Sequence, residues 1–141
     1  MPDELASLKL DVENFLGEFA GQEVLLIPNQ GNAGDCLILV GTLDAMRKAS
    51  VDVGIADDHA DMKDRIVFLG GGGNLVGVYH GMRDSLEAAL ASKARRIVLL
   101  PHTVRSNEDL IGRLDKRVTL WCREKKSFAH VRSVNPDVDC R

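Results

Sequence analysis

Apolar residues recur at three- and four-residue steps through Leu5, Leu8, Val12, Phe15 and Phe19, which predicts an amphipathic helix over residues of about 3 to 20, closed by Gly21. The period then shortens. Glu23-Val-Leu-Leu-Ile27 is a compact, β-branched-rich run halted by Pro28, as expected of a strand buried on both faces. Leu39, Leu43 and Met46 restore a helical stripe over residues 36–49, and Val51-Asp-Val-Gly-Ile55 alternates as a second strand. Ile66-Val-Phe-Leu69 is a third apolar run, and Val78, Met82, Leu86 and Leu90 mark a helix over residues 78–93. Arg96-Ile-Val-Leu-Leu100 reads as the next strand, stopped by Pro101. Ser106-Asn-Glu-Asp109 has the form of a capping box before Leu110, Ile111 and Leu114. Val118-Thr-Leu-Trp-Cys122 is a further strand, residues 127–131 a short helix, and residues 134–140 a last strand interrupted by Pro136.

Strands alternating with helices predict an α/β fold, a Rossmann-like three-layer α/β/α arrangement around a mostly parallel sheet. Such sheets bind ligands beyond the carboxyl ends of their strands. The polar residues follow that rule, because Asn32 and Asp35, Gly70 to Asn74, His102 and Thr103, and Arg123 and Glu124 each come just after a strand. The central motif is Ile66-Val-Phe-Leu-Gly-Gly-Gly-Gly-Asn74. Glycines at 70 to 73 tolerate positive φ and let bare N–H groups approach a ligand, and a helix opening near residues 76–80 would add its positive N-terminal end. An anion suits that surface best. Asp35 stands where an N-cap belongs, so capping is its first explanation, which leaves Asn32 and Gly34 to be accounted for.

Composition narrows the function classes. A chain of 141 residues is expected to form one domain burying about 68–70% of its unfolded surface. Its net charge of −3 and scattered aromatics give no support to nucleic-acid binding. No apolar run approaches the ~20 residues of a membrane span, and the first residues are acidic where a signal peptide is basic. Cys36, Cys122 and Cys140 are far apart in sequence and odd in number, which argues against a disulfide framework or a structural zinc site and fits a reducing cytoplasm. Asp57, Asp58, His59 and Asp61 match neither an EF-hand loop nor a helical His pair and read as a solvated acidic loop. A P-loop Lys-Ser/Thr, the G-x-G-x-x-G fingerprint and a Gly-x-Ser-x-Gly elbow are all missing, so an NTPase, a dehydrogenase or a serine hydrolase is not indicated.

Asn32-Ala-Gly-Asp35, Phe68-Leu-Gly-Gly-Gly-Gly-Asn74, Leu99-Leu-Pro-His-Thr103 and Trp121-Cys-Arg-Glu124 followed by Ser127 together resemble the N-terminal half of a polysaccharide pyruvyl transferase, over residues of about 23 to 139. The resemblance implies a two-lobed, GT-B-like enzyme that transfers the enolpyruvyl unit of phosphoenolpyruvate to two hydroxyls of a surface-polysaccharide sugar, releasing phosphate. The implied partners are phosphoenolpyruvate and a glycan acceptor, with no other cofactor and no metal. The chain then divides into the N-terminal amphipathic helix read from the apolar pattern, residues 1–22, and a Rossmann-like N-terminal lobe, residues 23–141, while the family's Arg-Leu/Met-His motif belongs to a C-terminal lobe that this sequence lacks. The chain by itself is then expected to be inactive, and exposed apolar surface to favour a homo-oligomer. Arg123 matches the arginine of the family's strand-end pair, and His102 is the candidate for proton exchange or donation to phosphate. Asn32, Gly34, Asp35, Gly71, Gly72, Gly73, Asn74, His80, Thr103 and Glu124 are the expected substrate-binding set. Two other readings share these residues: a nucleotide-sugar glycosyltransferase lobe, and a non-catalytic anion-binding module.

Overall fold

Every strand read from the pattern joins one parallel sheet. The computed structural model describes residues 2–141, with side chains described from residue 6, so the side chain of Leu5, first in the expected stripe, lies outside what is described. The elements run α1 (Pro2–Gly17), β1 (Glu23–Ile27), α2 (Ala33–Lys48), β2 (Asp52–Ile55), β3 (Ile66–Leu69), β4 (Gly72–Leu75), α3 (Gly81–Ala91), β5 (Arg96–Val104), α4 (Glu108–Ile111), β6 (Val118–Cys122), α5 (Lys125–Val134) and β7 (Asp139–Cys140). The strand order is β2-β1-β3-β5-β6-β7, with β4 lying beside the second half of β5. All pairs are parallel. This is a Rossmann-like three-layer α/β/α fold.

Alternation along each strand sends successive side chains to opposite layers. Leu25, Ile27, Val67, Leu69, Ile97 and Leu99 face α3, α4 and α5, where Met82, Leu86, Leu110 and Val131 meet them. Val24, Leu26, Phe68, Val98, Leu100 and Trp121 face α1 and α2, where Phe15, Leu16 and Met46 meet them. Phe68 is fully buried and touches Phe19 edge-on at 5.0 Å. Burying a side chain of this size contributes roughly 1.5–3 kcal/mol.

Several expected boundaries shift for identifiable reasons. Leu8 is 59% exposed, and among the described side chains of α1 the buried ones, Phe15 and Leu16, lie in its second half. Val78 is 77% exposed and lies before α3, whose buried stripe starts at Met82. The glycine run does not lead into a helix: Gly70 and Gly71 interrupt the strand, Gly72 resumes it as β4, and α3 opens only at Gly81. The sole glycine with positive φ among the described residues is Gly21. Pro101 does not end β5, which runs on to Val104. The β5–β6 register slips between Leu99 and His102, so a residue without an N–H falls where the ladder is already broken. The capping box at Ser106–Asp109 does not form, because Asn107 adopts the left-handed conformation and its side chain makes no cap bond. Residues 125–134 are helical, with Ser127 and Val131 turned to the core, leaving Asp139 and Cys140 as the last strand.

Candidate functional site

The chain leaves β1 for α2 on one side and, after β2, returns to place β3 on the other, so the loops after β1 and β3 diverge at a topological switch point. There the backbones nearly touch. A Cβ at Gly70 would stand 2.6 Å from the Asn29 nitrogen, and one at Gly72 would collide with the Asn29 amide. Close approach, not a left-handed turn, is what these two glycines provide. A Cβ at Gly73 would meet only the Arg123 guanidinium, at 3.6 Å.

Beside this crossing lies a cavity of about 510 Å³, formed by residues 30–32, Gly34, Asp35 and Ile38, by Gly73, Asn74 and Tyr79, and by Arg123. Of the expected set, the structure brings Asn32, Gly34, Asp35, Gly73, Asn74 and Arg123 together. The start of α2 is built by reciprocal capping: Gly34 N–H donates to Asn32 Oδ1 at 2.8 Å, and Asn32 N–H donates to Asp35 Oδ2 at 2.9 Å. Asn32 is thus the N-cap and Asp35 sits three residues on, the reverse of the assignment read from sequence.

The remaining carboxylate oxygen begins a polar line across the crossing. Asn29 Nδ2 donates to Asp35 Oδ1 at 3.2 Å, Asn74 Nδ2 donates to Asn29 Oδ1 at 2.7 Å, and His102 Nε2 lies 3.3 Å from Asn74 Oδ1. His102 Nδ1 is 2.9 Å from the Leu100 carbonyl, which can only accept, so Nδ1 carries a hydrogen. Burial pushes the imidazole down to about 4, opposed by that carbonyl and by Asp35 and reinforced by Arg123. The ring is therefore neutral near pH 7. A neutral ring protonated at Nδ1 has its lone pair on Nε2, facing Asn74 Oδ1, itself an acceptor, so His102 backs Asn74 by packing while the amide is held by its bond to Asn29. His102 is completely buried behind Asn74. It positions Asn74 and does not reach the cavity.

Arg123 contrasts with its neighbour. Its guanidinium has no hydrogen-bond or ion-pair partner among the described residues and stands at the edge of the cavity. Glu124 points to the opposite layer, accepting from Ser127 Oγ and, at 3.3 Å, from Thr103 Oγ1. Ser127 Oγ in turn accepts the Val104 N–H at 2.8 Å. Thr103 and Glu124 thus fasten α5 to β5 and are absent from the cavity wall. Gly71 and Gly72 are buried beneath it, and His80 is exposed at the start of α3. Asn29, Gln30 and Tyr79 were missed by sequence reasoning; the first two adjoin the strand end at Pro28, the one local signal available. In the acidic loop, Asp57 and Asp61 accept the N–H groups of His59 and Lys63, and no cluster of three metal-ligand side chains occurs among the described residues.

No protein-family model matches the sequence, and no curated protein matches it. Among solved structures, the chain is similar to a functionally uncharacterised protein of Klebsiella pneumoniae, with a TM-score of 0.81 and 27% identity over 94% of this chain. The chain spans 54% of that protein's length. No helix of the described residues is long and apolar enough to cross a membrane.

Proposed function

We propose that the cavity beside the β1–β3 crossing binds phosphoenolpyruvate, and that this chain is a pyruvyl transferase lobe. The observation that carries the reading is Arg123, a guanidinium without a partner among the described residues, held over a glycine at the mouth of a polar cavity. A planar fork of donors suits a carboxylate or phosphate, and the missing Cβ at Gly73 leaves room for one. In the reaction, two sugar hydroxyl oxygens bond to the enol carbon. The methylene gains one hydroxyl proton to become methyl, and phosphate leaves with the other. Arg123 offsets part of the donor's negative charge, while Asn74, bonded to Asn29 and backed by His102, supplies a rigid polar wall. His102, neutral and enclosed, acts by holding that wall and not by exchanging protons with substrate.

Calorimetric titration of phosphoenolpyruvate, with inorganic phosphate and a UDP-sugar as comparators, tests the proposal. Saturable binding of phosphoenolpyruvate, lost in Arg123→Ala and without turnover by this chain alone, is the expected result. Preference for the UDP-sugar, or binding unchanged in Arg123→Ala, would defeat it.

A further inference from the structure

Cys122 and Cys140 are separated by a helical crossover in sequence, yet their sulfurs touch at 3.6 Å. Cys140 lies beside Leu120 in the β6–β7 register, so Cys122, two residues on from Leu120, shares its face of the sheet. Both thiols are free and half-buried, whereas Cys36 is exposed on α2. The two sulfurs differ in chemistry. Cys140 is lowered, chiefly by the Cys122 S–H directed at it and further by the Arg132 charge, against burial and Asp139. Cys122 is raised by Cys140, by burial and by Glu124. Two thiols in contact, one of them eased toward its thiolate, are the arrangement from which exchange with a disulfide proceeds.

We propose that Cys122 and Cys140 form a redox-active dithiol, converted to an intramolecular disulfide by low-molecular-weight disulfides. The Cys140 thiolate attacks one sulfur of the small disulfide, whose S–S bond breaks and releases the first small thiol. Cys122 then gives up its proton, attacks Cys140 Sγ and expels the second. Two protein thiols lose two electrons and two protons, and the small disulfide takes up both as two thiols. Bonding requires the sulfurs to close to about 2.05 Å. The strand that must shift, β7, is two residues long and bound on one side only. The bond would staple the sheet's outer edge directly beneath Arg123, whose N–H donates to the His102 carbonyl at 3.0 Å. This inference concerns the ligand-free chain and stands whether or not phosphoenolpyruvate binds.

The test incubates the chain with oxidised glutathione and follows intact mass, peptide maps and free-thiol count. The expected product has lost two hydrogens, carries a Cys122–Cys140 link reversed by dithiothreitol, and retains one titratable thiol, Cys36, of the three cysteines. Its thermal midpoint rises above that of the reduced chain. Cys122→Ser is expected to stop at a stable glutathione adduct on Cys140, and Cys122→Ala provides the same trap should the serine disturb folding. Reaction confined to Cys36, or a glutathione adduct in the wild-type chain that never resolves to the internal link, would overturn the proposal.

Discussion

The two layers over the sheet use their polar groups in opposite ways. On the α3–α5 side a connected set of polar groups is engaged within the protein. Arg83 joins Asp109 at 2.5 Å and Glu87 at 3.0 Å, and its neighbour Arg113 reaches Glu87 at 2.7 Å. Asn135 ties the Ile111 and Leu114 carbonyls at 2.9 Å each, and Ser127 joins β5 to α5. On the α1–α2 side the rim leaves Arg123 without a partner among the described residues, Tyr79 58% exposed, and Leu37 and Val40 of α2 turned outward at 74% and 64%. One layer is a completed interface and the other is open. A polar residue at a strand end marks a site only where its bonding capacity is left over. Arg123 and Glu124, adjacent in sequence and sent to opposite layers, make the distinction.

The largest test of this contrast is pH. The unfolded ring of His102 takes up a proton below about 6.5, whereas the folded ring resists until about 4, so acid favours the unfolded state. Stability measured by urea unfolding should fall by up to roughly 3 kcal/mol across that window, and His102→Gln should remove the slope. Gly70→Ala comes next: its Cβ would press on backbone at Asn29 and Pro28, and a cost of about 1–3 kcal/mol is expected from the same unfolding curves. On the closed side, Ser127→Ala leaves the Val104 N–H without its partner. It should cost about 1–2 kcal/mol while phosphoenolpyruvate binding stays as in wild type. Arg123→Ala should do the reverse, shifting stability by no more than about 0.5 kcal/mol while abolishing binding. If Ser127→Ala were silent and Arg123→Ala strongly destabilising, the assignment of the two layers would be wrong.

The fold was legible because its determinants are local. Short apolar runs ending at Pro28 or at glycine, and helical stripes such as Leu39, Leu43 and Met46, carry their own period. The site was legible in part. Strand-end placement found Asn32, Asp35, Asn74 and Arg123, since any parallel sheet delivers those positions to one rim. It could not distinguish Arg123 from Glu124 or Thr103, because which layer a side chain enters depends on register and on the slip at Pro101. The glycines were read as a ligand loop able to take positive φ. Their requirement comes from a neighbouring segment, Pro28 and Asn29, whose proximity is long-range information. The thiol pair was missed for the same reason: eighteen positions apart, the cysteines meet only after α5 returns the chain to the sheet.

Arg141 carries one more consequence. Its guanidinium lies 4.8 Å from the Phe15 ring centre and 5.6 Å from that of Trp121, while its backbone closes the β6–β7 ladder through Leu120 and Cys122. The seat of the first helix is therefore shared with the outermost strand, two segments from opposite ends of the sequence. A disturbance that peels that strand would loosen the helix as well, so their backbone amides should lose protection from solvent exchange together.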